Sequence, residues 1–147
     1  FVLTIINFCA FIGNFGNKDF LLRKYSTNPS NIITYFSTSF SSRSVLLLVS
    51  LSLFFFVSNT IALLSILLIF LIYTYQSFDS LIIYHQKFLY QLILEIIGFI
   101  IIVLWFLYDV NFVELSNLLS VYIISCLVKI LLIINYFYCD FIDFACL

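Results

Sequence analysis

The sequence predicts an all-α transmembrane protein, with three antiparallel membrane spans behind an N-terminal extension. Three observations carry that prediction. Of 147 residues, 65% are hydrophobic and only 9% charged, where a soluble domain usually carries about 25% charged residues. Mean hydropathy is +1.23, so the chain cannot cover a core with polar surface. The charges are clustered, and the gaps between clusters exceed the ~20 helical residues that cross ~30 Å of hydrocarbon. The connections between these gaps are short, which makes neighbouring spans antiparallel.

Residues 1–16, FVLTIINFCAFIGNFG, are apolar. They have no basic region before them and no small-residue cleavage site after them, so they do not read as a signal peptide. They fit an interfacial helix or the remains of a further span. Residues 17–44 hold Lys18, Arg23, Lys24 and Arg43, the single proline and the run STNPSNIITYFSTSFSSRS. This composition predicts a polar connection along a surface. Residues 1–43 therefore form the extension and 44–147 the transmembrane domain.

No charge falls between Arg43 and Asp79. The core of that gap, 45–75, reads as one long tilted helix, although Ser58-Asn59-Thr60 interrupts it. A tight hairpin of two half-length segments would leave neither able to span and would bury polar backbone. The second span covers 87–108 and ends at Trp105 and Tyr108, which suit an interfacial aromatic belt. The third covers 117–138. The connection 76–86 contains Asp79 and His85, and 109–116 contains Asp109 and Glu114.

Two charges remain inside these spans, Glu95 and Lys129. Each costs about 2.5–3.5 kcal/mol near a helix centre on insertion scales. Glu95 lies about 12 Å into its helix from Lys87, and Lys129 about 13 Å from the same side, at 1.5 Å per residue. Antiparallel spans therefore place the two at one level. Gly98, one turn beyond Glu95, allows close helix approach. Three uses are open: an ion pair that locks helices, a proton-relay carboxylate tuned by desolvation and Lys129, or a polar contact to another subunit.

The remaining features exclude more than they assign. A net charge of −1 without a Lys/Arg run predicts no nucleic-acid partner. His85 is the sole histidine, which excludes a bis-histidine haem or a histidine-rich metal site within the chain. Cys9, Cys126, Cys139 and Cys146 form no C-x-x-C pair and read as buried or lipid-facing thiols. No phosphate loop, nucleophile elbow or His-Glu metal pair occurs. The expectation is no cofactor, no metal and no catalytic residue. The bias toward Phe, Leu, Ile, Tyr, Asn and Ser matches translation from an AT-rich genome such as an organellar one.

The segment HQKFLYQLILEIIGFIII resembles the second helix of the small 4L/NuoK-type membrane subunit of respiratory complex I, the proton-pumping NADH:ubiquinone oxidoreductase. Lys87 matches the basic residue that opens that helix, and Leu94-Glu95-Ile96 matches its signature. The resemblance covers about residues 60–140. It implies a multi-pass subunit of the mitochondrial inner membrane, without redox chemistry of its own. Its partners would be other membrane subunits, including the antiporter-like ones, and lipids. It implies that Glu95 is a proton-channel carboxylate. The family carries a second carboxylate in its third helix, where this chain has Lys129; lysines serve as relay groups in the antiporter-like subunits. The alternative is a structural transmembrane subunit of an organellar ATP synthase or terminal oxidase. The positive-inside rule places 17–43 on the matrix side, while the family's orientation places the 76–87 turn there. Both hold only with an additional crossing or re-entrant segment near the start.

Overall fold

A computed structural model describes residues 2–14, 16–51, 59–108 and 114–145. Asp109 and Cys146 lie outside them. The described chain is almost wholly helical, without a strand. Its helices are α1 (Val2–Asn14), α2 (Asn17–Thr27), α3 (Ile32–Leu51), α4 (Asn59–Tyr84), α5 (Phe88–Tyr108) and α6 (Leu115–Ala145), with a 3₁₀ turn at Pro29–Asn31.

Four segments are long and apolar enough to cross a membrane, not three: Pro29–Val49, Thr60–Tyr84, Phe88–Tyr108 and Leu115–Phe137. The additional one contains the run expected to be a surface connection. Its hydroxyls explain the difference. Ser37 and Thr38 donate to the Thr34 carbonyl (3.1 and 2.7 Å), Ser42 to Ser39 (3.1 Å) and Ser44 to Ser41 (2.6 Å). Each of these four hydroxyls is satisfied within its own helix turn, so the segment stays helical and needs less water. Its mean hydropathy is 1.3, against 2.0–2.4 for the other three. The proposed boundary at 43/44 falls within α3.

The single helix expected over 45–75 is also corrected. Residues 45–51 close α3, and α4 opens at Asn59. The Tyr73 hydroxyl donates to the Phe40 carbonyl at 2.8 Å, across 33 residues, a separation of about 50 Å in one straight helix. The Phe36 and Phe78 rings lie 5.2 Å apart, so α3 and α4 are antiparallel. The hairpin works because its arms are not half-length: α3 starts at Ile32, and α4 runs on to Tyr84.

Asp79 accordingly lies inside α4 and not in a connection. The turn to α5 is short. The Gln86 N–H bonds the Ile83 carbonyl at 2.9 Å and the Lys87 N–H bonds the Ile82 carbonyl at 3.0 Å. Gln86 takes φ 56° there, the left-handed position usual after a helix end and normally given to glycine or asparagine.

Helix α4 is the central element and touches all five others. Helix α1 packs on α3 and α4, and its Ile6, Cys9 and Ala10 are buried. Gly16 at φ 64° breaks the chain between α1 and α2, a conformation that side chains with a Cβ resist. Beyond it, α2 follows α4 toward the α4–α5 turn, with the Tyr25 and Tyr84 rings 5.5 Å apart. Burial pushes the Tyr25 phenol up to about 12, with the Ser80 hydroxyl opposing the shift, so it remains neutral.

The antiparallel α3 and α4 add one apolar segment ahead of the three expected. Lys18, Arg23 and Lys24 of α2 lie at the same end of the bundle as Lys87 and the α4–α5 turn.

Candidate functional site

Each of the four apolar segments carries a single charged residue: Arg43, Asp79, Glu95 and Lys129, two of each sign. Three of them converge between α4, α5 and α6.

Glu95 and Lys129, placed at one level by depth counting, form an ion pair, with Lys129 Nζ 2.6 Å from Glu95 Oε2. Helices α5 and α6 bring them together in a consistent antiparallel register. On one side of the pair the Ser125 hydroxyl donates to the Gly98 carbonyl at 3.2 Å. On the other the Tyr90 hydroxyl donates to the Leu132 carbonyl at 2.8 Å. Gly98 does more than let helices approach. A Cβ there would overlap Lys129 Cε and come within 2.9 Å of Ser125 Oγ, so the missing side chain is the slot through which the lysine stem reaches Glu95.

Tyr75 completes the first rung. Its hydroxyl donates to Glu95 Oε1 at 2.6 Å, and its ring centroid lies 5.0 Å from Lys129 Nζ. Each carboxylate oxygen thus has its own donor. The two partners are covered unequally, with 13% of the Lys129 side chain exposed and 52% of Glu95. The lysine lies inside the bundle, while half of the carboxylate faces outward beside Leu92, Ile96 and Phe99, which are exposed on α5.

A second rung lies one helical turn toward the α4–α5 turn. Gln91 Nε2 donates to Asp79 Oδ1 at 3.3 Å. Asp79 is spaced i+4 from Tyr75, and Gln91 is spaced i−4 from Glu95, so each helix presents its two members on one face. Neither Tyr75 nor Gln91 stands out in the sequence, where Asp79 reads as part of a connection. The signal that could have found them is this mirrored spacing about the turn at His85.

His85 itself is exposed in that turn, against the rings of Tyr84 at 5.3 Å and Phe137 at 5.8 Å. Glu114 lies at the start of α6, where its carbonyl accepts the N–H groups of Asn117 and Leu118. Asn135 is exposed. Cys9 is buried and Cys126 half-buried, both outside any disulfide. Among the described residues, no group of three or more His, Cys, Asp or Glu side chains could hold a metal ion.

The opposite face of α4 is joined by neutral groups. Asn14 Nδ2 donates to Gln76 Oε1 at 3.0 Å and to the Tyr73 carbonyl at 3.3 Å, while the Ser77 hydroxyl donates to Asn14 Oδ1 at 3.2 Å. Nearby, the Ser39 hydroxyl donates to Asn17 Oδ1 at 2.6 Å in a buried contact.

This fold and its intramembrane charges define a multi-pass helical membrane protein with an ionisable cluster between three of its helices. No family model matches the chain, and no curated protein or solved structure is similar to it.

Proposed function

We propose that the chain is a membrane subunit of a proton-translocating complex in which the Glu95–Lys129 pair is the titrating element. One observation carries this reading: a carboxylate and an ammonium 2.6 Å apart within two apolar helices. Holding two charges at that depth is costly, and intramembrane ionisable groups mark ion and proton pathways by default. Lys129 and the Tyr75 hydroxyl each bond one oxygen of the Glu95 carboxylate, the atoms that an arriving proton must reach. Protonation of Glu95 then releases the lysine, so charge is rearranged inside the membrane without a redox step. The outward half of Glu95 gives the pair an opening toward a neighbouring subunit.

The resemblance of 85–102 to the 4L/NuoK-type subunit directs the reading to NADH:ubiquinone oxidoreductase of the mitochondrial inner membrane, beside its antiporter-like subunits. Helices α4, α5 and α6 would be the three spans of that family, with α1–α3 an addition. The chain itself would contribute no flavin, cluster or quinone chemistry.

The test is Glu95→Gln in the purified complex reconstituted into vesicles. Glutamine keeps the size and accepts the Tyr75 hydrogen bond but cannot carry a proton. Proton translocation should fall at least tenfold while the subunit composition is unchanged, since a positioned acid–base group contributes about 10²–10⁴-fold. Translocation at the wild-type rate overturns the proposal.

A second reading has its own support. Both Glu95 oxygens are occupied, and Gly98 accommodates the lysine stem, as a clamp fixing α4, α5 and α6 would require. A subunit of an ATP synthase or terminal oxidase with only an architectural role would behave in this way. It predicts that Glu95→Gln either prevents assembly or leaves turnover unchanged.

A further inference from the structure

We infer that Asp79 is a second proton-carrying carboxylate, passing protons between the α4–α5 turn and the Glu95–Lys129 pair. The inference rests on the proton-transfer reading and extends it toward one membrane face.

Position is the first argument. Asp79 lies about 7.5 Å along α4 from Tyr84, and Tyr75 one turn deeper. Beyond Asp79 in that direction Ser80, Leu81 and Ile82 are buried, and the exposed end is reached at His85, Gln86 and Lys87; Lys18 at the start of α2 is exposed as well. Asp79 is therefore the carboxylate of α4 that lies between the exposed end and the Glu95–Lys129 pair. The groups whose charges act on it come from three elements: Lys18 of α2, Glu95 of α5 and Lys129 of α6. It thus senses both the surface lysine and the deep pair.

Attachment is the second argument. Gln91 holds Asp79 in the same antiparallel register in which Tyr75 holds Glu95. A neutral amide donor fixes the carboxyl without neutralising its charge, which leaves it able to take up and release a proton. Helix packing alone needs no carboxylate here, since an asparagine would serve as well and avoid the cost of a charge.

The step balances as follows. A proton leaves the Asp79 carboxyl for a water in the one-turn interval between the rungs. That water passes a proton to the Tyr75 hydroxyl oxygen as Tyr75 gives its own proton to Glu95 Oε1, along the 2.6 Å hydrogen bond. Asp79 ends as carboxylate, Glu95 as carboxylic acid, and Tyr75 and the water are restored. One proton has moved and nothing is oxidised or reduced.

The experiment uses the intact complex in vesicles containing a pH-sensitive dye, with Asp79→Asn, Asp79→Glu and Glu95→Gln compared. Asp79→Asn should lower proton flux at least tenfold with all subunits present. Asp79→Glu should keep most of the flux. Formate or acetate added to both faces should restore Asp79→Asn several-fold, because a small acid can replace a lost carboxyl but not a lost packing contact. Full flux in Asp79→Asn, in preparations where Glu95→Gln has lost it, overturns the role of Asp79 and leaves the proposed function standing. Full flux in Glu95→Gln overturns the proposed function itself. A loss that neither Asp79→Glu nor the small acids reverse marks a packing role and overturns the inference. Where Asp79→Asn does not assemble, the wild-type complex treated with an apolar carbodiimide decides. Modification of Asp79 in complexes whose Glu95 is unmodified, read by mass spectrometry, should track loss of flux, and modification of Asp79 without that loss overturns the inference.

Discussion

The two sides of α4 are joined to their neighbours by different chemistry. Toward α1 and α3 the bonds are neutral, Asn14 with Gln76 and Ser77 and Tyr73 to the Phe40 carbonyl, and the Ser39–Asn17 bond that joins α3 to α2 beside them is neutral too. Toward α5 and α6 the groups are ionisable: Asp79, Glu95 and Lys129. Both sides solve the same problem, which is to satisfy polar atoms away from water. Amides and hydroxyls suffice for that, so the charges on the second side are more than packing requires. Arg43 is the one charge of the apolar segment Pro29–Val49, and the Tyr73 hydroxyl lies within its electrostatic reach.

The strongest way to break this contrast is to leave one charge of the pair alone. Lys129→Leu removes the ammonium and keeps an apolar side chain in the Gly98 slot, stranding Glu95 at depth. The destabilisation should be about 2.5–3.5 kcal/mol, the cost of one unpaired charge near a helix centre. Adding Glu95→Gln to it should recover most of that loss, because the pair acts as a unit. Unfolding of the detergent-solubilised protein measures both. If Lys129→Leu costs no more than removal of one neutral hydrogen bond, the two sides of α4 are energetically alike.

Gly98→Ala sharpens the same contrast without touching a charge. The added Cβ would overlap Lys129 Cε, so the lysine stem must shift or the helices must part. Overpacking of this kind costs about 1–3 kcal/mol. The larger effect should be on the geometry of the pair, seen as slower proton transfer in an assembled complex. Unchanged stability and flux would mean that the lysine reaches Glu95 by another route.

The ionised side was partly legible in the sequence and the neutral side was not, for a physical reason. A charge in an apolar run stands out in one dimension, and a rise of 1.5 Å per residue converts its position into depth. Glu95 and Lys129 could therefore be matched before any fold was known, and α5 and α6 followed the expected 87–108 and 117–138 closely. Asp79 escaped because the apolar run ends at residue 75, while α4 continues through Gln76, Ser77 and Ser80 to Tyr84. Helix α3 escaped because Ser37, Thr38, Ser42 and Ser44 look like loop residues in a list, and only a helix brings each hydroxyl to a carbonyl three or four residues back. The reversal between α3 and α4 was weighed only with short arms, since the extension of each arm through polar residues was not visible in hydropathy. Asn14 and Asn17 carry no charge and no spacing that marks them.

The smallest predicted effect lies on the neutral side and decides whether the contrast holds. Ser39→Ala removes the donor to Asn17 Oδ1, a 2.6 Å bond between two buried residues of α3 and α2. The loss should be about 1 kcal/mol, the net worth of one neutral hydrogen bond, and at most about 3 kcal/mol with the amide oxygen left unsatisfied. No titrating group is involved, so the change should be the same at every pH at which the protein is folded, and proton flux should stay at the wild-type level. Denaturation of Ser39→Ala across a pH series, with flux measured in parallel, reads both. A pH-dependent loss, or a fall in flux comparable with that of Glu95→Gln, would place the α2–α3 contact in the same proton-linked network as Glu95. The division of α4 into a structural face and a chemical face would then be wrong.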